Sequence, residues 1–227
     1  MAIAVKICGI TSMDAVDAAV AAGAAQSSIL LTGTAGLVFH PKSPRFVTPD
    51  QARALAAHMR GRLKVVALVA DLDDAALAAV IELARPDILQ LHGNEDARRV
   101  AAIRARFGLP VIKALPIAEA DDFAAVPEME TVADMLLFDA RPPRGAARAG
   151  GHGAAFDWAL LAGRSFRKPW FLAGGLEPGN VARAIERSGA ALVDVSSGVE
   201  RAPGVKDAAR IAAFIHAAKA AIRLPVS

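Results

Sequence analysis

The sequence predicts an α/β chain folded as one parallel (β/α)8 TIM barrel over residues 1–227. Three observations carry that reading. Short β-type runs alternate with longer alanine-rich helical runs, eight times in all, which is the pattern of parallel strands covered by helices. The strands are nearly all apolar, as a sheet buried beneath helices requires. Polar, titratable or glycine residues gather at the ends where these strands stop, as at Cys8-Gly9, His92-Gly93, Asp139-Ala140, Gly174-Gly175 and Ser196-Ser197-Gly198. In a barrel those ends line the active face. A doubly wound open sheet is the alternative. It uses fewer strands, and no early G-x-G-x-x-G turn is present.

Taken in order, the predicted strands cover 3–8, 36–39, 64–70, 88–91, 110–114, 135–139, 170–173 and 192–195. The predicted helices cover 12–22, 49–58, 73–84, 96–107, 119–125, 157–163, 179–188 and 207–222. Thr48-Pro49 reads as an N-cap followed by proline at the first helical position. Asp73 and Asp74 put carboxylates at the positive end of the third helix. The stretch 23–35 has 13 residues between the first helix and the second strand, where turns of this kind usually take about 2–6. It falls at the N-terminal face of a barrel, away from the expected site.

Bulk composition narrows the function. With 54% hydrophobic residues in 227, the chain has ample material for a core. The longest apolar stretch, 18–39, is broken by Gly23, Gln26, Ser27, Ser28 and Thr32, so no membrane span is expected. The N-terminus lacks the basic start of a signal peptide. One cysteine excludes an internal disulfide. Together these features place the chain in the cytosol. Net charge is +3, from 26 basic and 23 acidic residues. Without a basic stripe interleaved with aromatics, a nucleic-acid partner is not expected. A small phosphorylated ligand is, with the chain as a monomer or a homodimer. The histidines show no metal-ligand spacing, and neither a dinucleotide nor a Walker fingerprint occurs. A reaction without cofactor or metal follows.

The chemistry-bearing residues fall at strand ends. Cys8, the one cysteine, stands where the first strand meets a glycine turn. A thiol backed by apolar residues at a sheet mouth can serve as base or nucleophile. It can also be a small buried hydrophobe. Strand alternation puts Lys6 on the same face, one layer beneath. An ammonium there favours the thiolate, or it pairs with Asp71 or Asp194 inside the barrel. Asp139 ends the sixth strand, well around the ring from Cys8, so the two can bracket a sugar as base and acid. Its alternatives are a helix cap or an ion pair with Arg141. Gly174-Gly175 and Ser196-Ser197-Gly198 end the seventh and eighth strands, where barrels commonly bind phosphate. Glycines let backbone N–H groups approach an anion, and a short helix starting at Ser197 would aim its dipole there. Gly150-Gly151-His152-Gly153 could close the cradle. Arg45 ends a loop stiffened by Pro41 and Pro44, and can hold a planar fork for a carboxylate. His92 reads equally as a polar substrate contact or a satisfied core histidine.

As a set these residues resemble the phosphoribosylanthranilate isomerase family. The resemblance runs through VKICGIT (5–11), GLVFHPKSPRFVTP (36–49), LQLHG (89–93), LLFDAR (136–141), GGHGAAFDW (150–158), LAGGLEPGNV (172–181) and DVSSGVE (194–200). It implies a barrel of the ribulose-phosphate-binding type and an Amadori rearrangement of N-(5-phosphoribosyl)anthranilate to 1-(2-carboxyphenylamino)-1-deoxyribulose 5-phosphate. It implies Cys8 as the general base at C2′ and Asp139 as the general acid at the ring oxygen. Arg45 would hold the anthranilate carboxylate, and His92 and Asp194 would line the substrate. Backbone groups of Gly151, Gly174, Gly175, Ser196, Ser197 and Gly198 would hold the phosphate. The chain departs from the family in the long 23–35 stretch and in His152, where a small polar residue is usual. Two other readings stay open: a different sugar-phosphate isomerase on this scaffold, and a non-enzymatic barrel that binds a phosphorylated ligand.

Overall fold

A computed structural model describes residues 3–23, 33–141 and 156–221. Most of the 23–35 stretch, and Gly151 and His152, lie outside them.

Eight parallel strands close a barrel in chain order. They are β1 (Ala4–Cys8), β2 (Thr34–Val38), β3 (Lys64–Val69), β4 (Ile88–Leu91), β5 (Val111–Ile117), β6 (Met135–Ala140), β7 (Trp170–Leu172) and β8 (Leu192–Val195). The barrel shuts where β8 pairs with β1, Ala4 opposite Leu192 through Ile7 opposite Val195. Each strand agrees with a predicted run to within a few residues. The helices are α1 (Met13–Ala21), α2 (Pro49–Met59), α3 (Asp74–Ala84), α4 (Ala97–Phe107), α5 (Val126–Val132), α6 (Val181–Ser188) and α7 (Ala208–Ala220). Local chemistry sets their starts. Thr48 caps α2 in a reciprocal capping box with Gln51, and Asp73, Asp96 and Asp207 accept from the first turns of α3, α4 and α7. Such caps are each worth about 1 kcal/mol.

Two apolar layers hold the fold together. Outward-facing strand residues such as Val5, Ile7, Leu89 and Leu136 pack beneath the helices. Alternate residues, among them Ala4, Val66, Ile88, Ile112, Leu137 and Phe171, fill the barrel interior. Strand alternation thus decides which side chains reach the mouth: Lys6 and Cys8 on β1, Leu137 and Asp139 on β6.

The structure corrects two predicted helices. Segment 119–125 is a 3-10 turn (Ala120–Ala125) that runs into α5. Pro127 lies in the first turn of α5, where a missing N–H removes no helical hydrogen bond. Segment 157–163 is only a 3-10 turn, Trp158–Leu161, with Gly163 at φ +70° just past it. Over β6 and β7 the packing is aromatic. Phe138 meets Phe166 at 4.9 Å and Trp170 at 5.5 Å, contacts worth about 1 kcal/mol each beyond their area. The sequence reading also missed a hairpin after β8, β9 (Glu200–Ala202) with β10 (Val205–Lys206). Among the described residues, no helix is long and apolar enough to cross a membrane.

Candidate active site

β1 supplies the first two groups. In register, Lys6 stands opposite Asp194 of β8 and Cys8 opposite Gly36 of β2. Lys6 is fully buried and its Nζ donates to Asp194 Oδ1 at 2.8 Å. Of the two carboxylates considered for Lys6, the partner is therefore Asp194. Asp71 turns instead to Asn94, accepting from its backbone N at 2.7 Å. A side chain on Gly36 would come within 3.2 Å of Cys8 Sγ, so the glycine leaves the thiol its space. Burial pushes the Cys8 thiol above its ordinary value of 9.0. Lys6 pulls it back, Asp194 opposes Lys6, and Lys206 pulls it down again.

Arg45 reaches the same corner. Its stem crosses Gly9, directly after Cys8. A Cβ on Gly9, whose φ is +74°, would lie 2.4 Å from Arg45 Cδ. Only a residue without a side chain fits there. The guanidinium is buried and forks Glu200, Nε to Oε1 at 2.6 Å and Nη2 to Oε2 at 2.9 Å. One edge of Arg45 is thus committed to an internal carboxylate. Among the described residues Nη1 has no partner.

Across the mouth, Asp139 Oδ2 lies 3.2 Å from His92 Nε2, and its Oδ1 accepts from Ala140 N at 2.9 Å. Gln90 Nε2 is 2.9 Å from His92 Nδ1. Both ring nitrogens of His92 therefore lie at hydrogen-bond distance from a polar side chain, Nδ1 from Gln90 and Nε2 from Asp139. His92 thus stands beside Asp139 at the barrel mouth. The pairing of Asp139 with Arg141 does not form. Arg141 goes to Glu119 and Asp122.

The glycine ends of β7 and β8 close in on the same space. A Cβ on Gly174, φ +84°, would fall 2.5 Å from Ala140 N and 3.0 Å from Asp139 Oδ1. One on Gly198 would meet Leu176 O at 1.9 Å. Gly175 takes φ +64°, and its carbonyl accepts from Asn180 Nδ2 at 2.9 Å. The helix expected at Ser197 is a single 3-10 turn, Ser197–Val199. Ser196 Oγ donates to the carbonyl of Cys8 at 3.1 Å, tying this end to β1.

Two charged groups here escaped the sequence reading. Glu200 and Lys206 are both buried, and Lys206 Nζ donates to Glu200 Oε1 at 2.8 Å and Ser196 O at 2.9 Å. The signal was Pro203-Gly204, a turn dipeptide. Gly204, at φ +79°, seats the hairpin: its carbonyl accepts from Thr11 Oγ1 at 2.8 Å, and a Cβ there would strike Pro44 O at 2.2 Å. A second buried pair, Lys113 with Glu95 at 2.9 Å, holds the turn after His92. Lys113 donates to Gly93 O at 2.7 Å, while Glu95 accepts from Asp71 N and Gly93 N. Among the described residues, no group of three or more His, Cys, Asp or Glu side chains could hold a metal ion.

Fold and site together define a (β/α)8 barrel that gathers a thiol, a carboxyl and an imidazole with glycine-rich strand ends at one mouth, the arrangement of a barrel enzyme. The family model described as N-(5'phosphoribosyl)anthranilate (PRA) isomerase matches residues 5–217. N-(5'-phosphoribosyl)anthranilate isomerase of Rhodopseudomonas palustris is 53% identical over 226 residues, covering 100% of each chain. That of Paramagnetospirillum magneticum is 52% identical over 219 residues, 96% of this chain and 98% of its own. Among solved structures, phosphoribosyl anthranilate isomerase from Thermotoga maritima superposes with a TM-score of 0.82 at 32% identity, covering 96% of this chain and 98% of its own. A further neighbour, with a TM-score of 0.79 at 30% identity and coverage of 96% and 98%, is phosphoribosyl anthranilate isomerase holding reduced 1-(o-carboxyphenylamino)-1-deoxyribulose 5-phosphate. The chain belongs to the N-(5'-phosphoribosyl)anthranilate isomerase family; it is an isomerase of tryptophan biosynthesis.

Proposed function

We propose that Cys8 and Asp139 are the base and the acid of an Amadori rearrangement of N-(5-phosphoribosyl)anthranilate. The carboxylic acid of Asp139 gives its proton to the furanose ring oxygen. The C1′–O bond breaks, and the nitrogen lone pair forms an iminium with C1′. The Cys8 thiolate then takes the proton from C2′. The released electron pair makes the C1′–C2′ double bond and neutralises the nitrogen. The resulting enolamine tautomerises to the aminoketone. No electrons enter or leave, so the balance needs neither cofactor nor metal.

The observation that carries this reading is the placement of both groups on inward positions at strand ends, each with a polar support: Ser196 on the Cys8 carbonyl and His92 on the Asp139 carboxylate. The Nη1 edge of Arg45 takes the anthranilate carboxylate while Glu200 holds the other edge. His92 and Asp194 line the substrate. Backbone groups of Gly151, Gly174, Gly175, Ser196, Ser197 and Gly198 take the phosphate. A solved neighbour holds a phosphorylated carboxyphenylamino sugar, which supports this class of ligand.

The working unit is one barrel domain over 1–227. All of these groups come from one chain, so a monomer or a homodimer serves. A free thiol base suits the reducing cytosol. The test is loss of substrate fluorescence in wild type beside Cys8→Ser and Asp139→Asn. Both variants fold and lose turnover about 10²–10⁴-fold, the range for general acid–base groups. A variant with near-native turnover removes that residue from its role.

A further inference from the structure

We infer that Lys206, at the end of the β9–β10 hairpin, is a positioning residue for the strand-one thiol: its ammonium, buried and pinned between Ser196 and Glu200, is a second cation that favours the Cys8 thiolate. Lys206 lies outside every site residue assigned above, and its part in turnover rests on Cys8 being the base.

The geometry is a closed relay. Lys206 Nζ donates to the Ser196 carbonyl at 2.9 Å and reaches its hydroxyl at 3.4 Å. That hydroxyl donates to the Cys8 carbonyl at 3.1 Å. The ammonium is thus one hydroxyl away from the backbone of the base.

The charges that act on the thiol are those of Lys6, Asp194 and Lys206, and Arg45 with Glu200 adjoins Lys206. β1 brings Lys6, β8 brings Asp194, β10 brings Lys206, β9 brings Glu200 and the loop after β2 brings Arg45; β2 itself presents Gly36. Three cations face two carboxylates, and all five are buried. Burial lowers Lys206 below its ordinary 10.5, while Glu200 and then Cys8 act to raise it, so the thiolate and this ammonium favour each other. Lys6 is not the free cation, because Asp194 answers it directly at 2.8 Å. Lys206 is less fully answered. Glu200 Oε1 also accepts from Arg45 Nε at 2.6 Å, and the other two acceptors of Lys206 are neutral. The same order appears in the thiol itself: burial raises it, Lys6 lowers it, Asp194 raises it, and Lys206 lowers it.

This chain makes the test clean. It has one cysteine and no tyrosine, so thiolate absorbance in the ultraviolet reports Cys8 without overlap from tyrosinate. The titration is run without substrate on wild type, Lys206→Gln, Lys206→Arg and Cys8→Ser, with folding checked by circular dichroism. Wild type shows a transition above pH 9.0, which Cys8→Ser lacks. Lys206→Gln moves it up by about one pH unit, the lower end of what a nearby opposite charge supplies, and Lys206→Arg restores it. In turnover, Lys206→Gln loses kcat about tenfold at neutral pH, and the loss shrinks as pH rises. A folded Lys206→Gln with an unmoved transition overturns the inference and leaves Lys206 as a structural pin. If Lys206→Gln does not fold, Lys206→Met, which keeps the buried stem and removes the same charge, is read the same way. Turnover by Cys8→Ser would instead overturn the base assignment and leave the shift in the thiol transition intact.

Discussion

His92 Nε2 stands 3.2 Å from Asp139 Oδ2 and joins β4 to β6 across the barrel mouth. Gln90 holds the ring from behind at Nδ1, so Nε2 faces the Asp139 carboxyl. His92 thereby orients Asp139. His92→Asn shortens the reach and frees the carboxylate to rotate. Its kcat falls, but by less than that of Asp139→Asn, which removes the acid outright. Steady-state fluorescence assays on both variants check the order.

Gly9 and Arg45 are interdependent. Gly9→Ala meets both a φ of +74° and Arg45 Cδ at 2.4 Å. The backbone conflict alone costs about 1–3 kcal/mol. Displacement of the guanidinium adds a rise in KM beyond that in kcat, because Arg45 is assigned to substrate binding. Denaturant unfolding measures the first effect and saturation kinetics the second. Unchanged KM in a destabilised Gly9→Ala would separate Arg45 from the substrate.

The Lys6–Asp194 pair is buried at both ends. Burial works against the Lys6 ammonium, yet Asp194 and Cys8 hold its value above 10.5. Lys6→Met leaves the Asp194 charge uncompensated and costs about 3–5 kcal/mol, while Lys6→Met with Asp194→Leu recovers most of it. Urea unfolding of the two variants decides. An equal loss in both would show that the pair is not the source. Lys6→Met also moves the pH–rate profile, since Lys6 is the largest charge acting on the thiol.

Acid unfolding has identifiable sources. Burial alone would lift the Glu95 and Glu200 carboxyls. Lys113 beside Glu95, and Arg45 with Lys206 beside Glu200, hold both below the ordinary 4.5. The unfolded chain therefore binds more protons in this range, and stability rises with pH. The contribution is complete above 4.5 and is lost as pH falls through the lower folded values. Unfolding free energies measured from neutral pH downward stay level until about pH 4.5 and then drop. In Glu95→Gln the drop is shallower.

What the sequence determined by itself was local and periodic. The order of eight strands followed from alternating runs, and helix starts followed from caps such as Thr48 and Asp73. The inward direction of Lys6, Cys8 and Asp139 followed from strand parity. The tertiary structure alone decided which distant side chains meet. Lys6 had two carboxylates within its sequence logic, and closure of β1 against β8 chose Asp194. Arg45 read as a free fork, and its partner Glu200 lies 155 residues away on a hairpin that only a Pro-Gly pair announced. His92 and Asp139 were not read as partners, and it is the three neighbouring strands β4, β5 and β6 that bring them together. Periodicity fixes the face of a side chain, because it depends on neighbours along the chain. A partner is fixed by register and barrel closure, which no local pattern records.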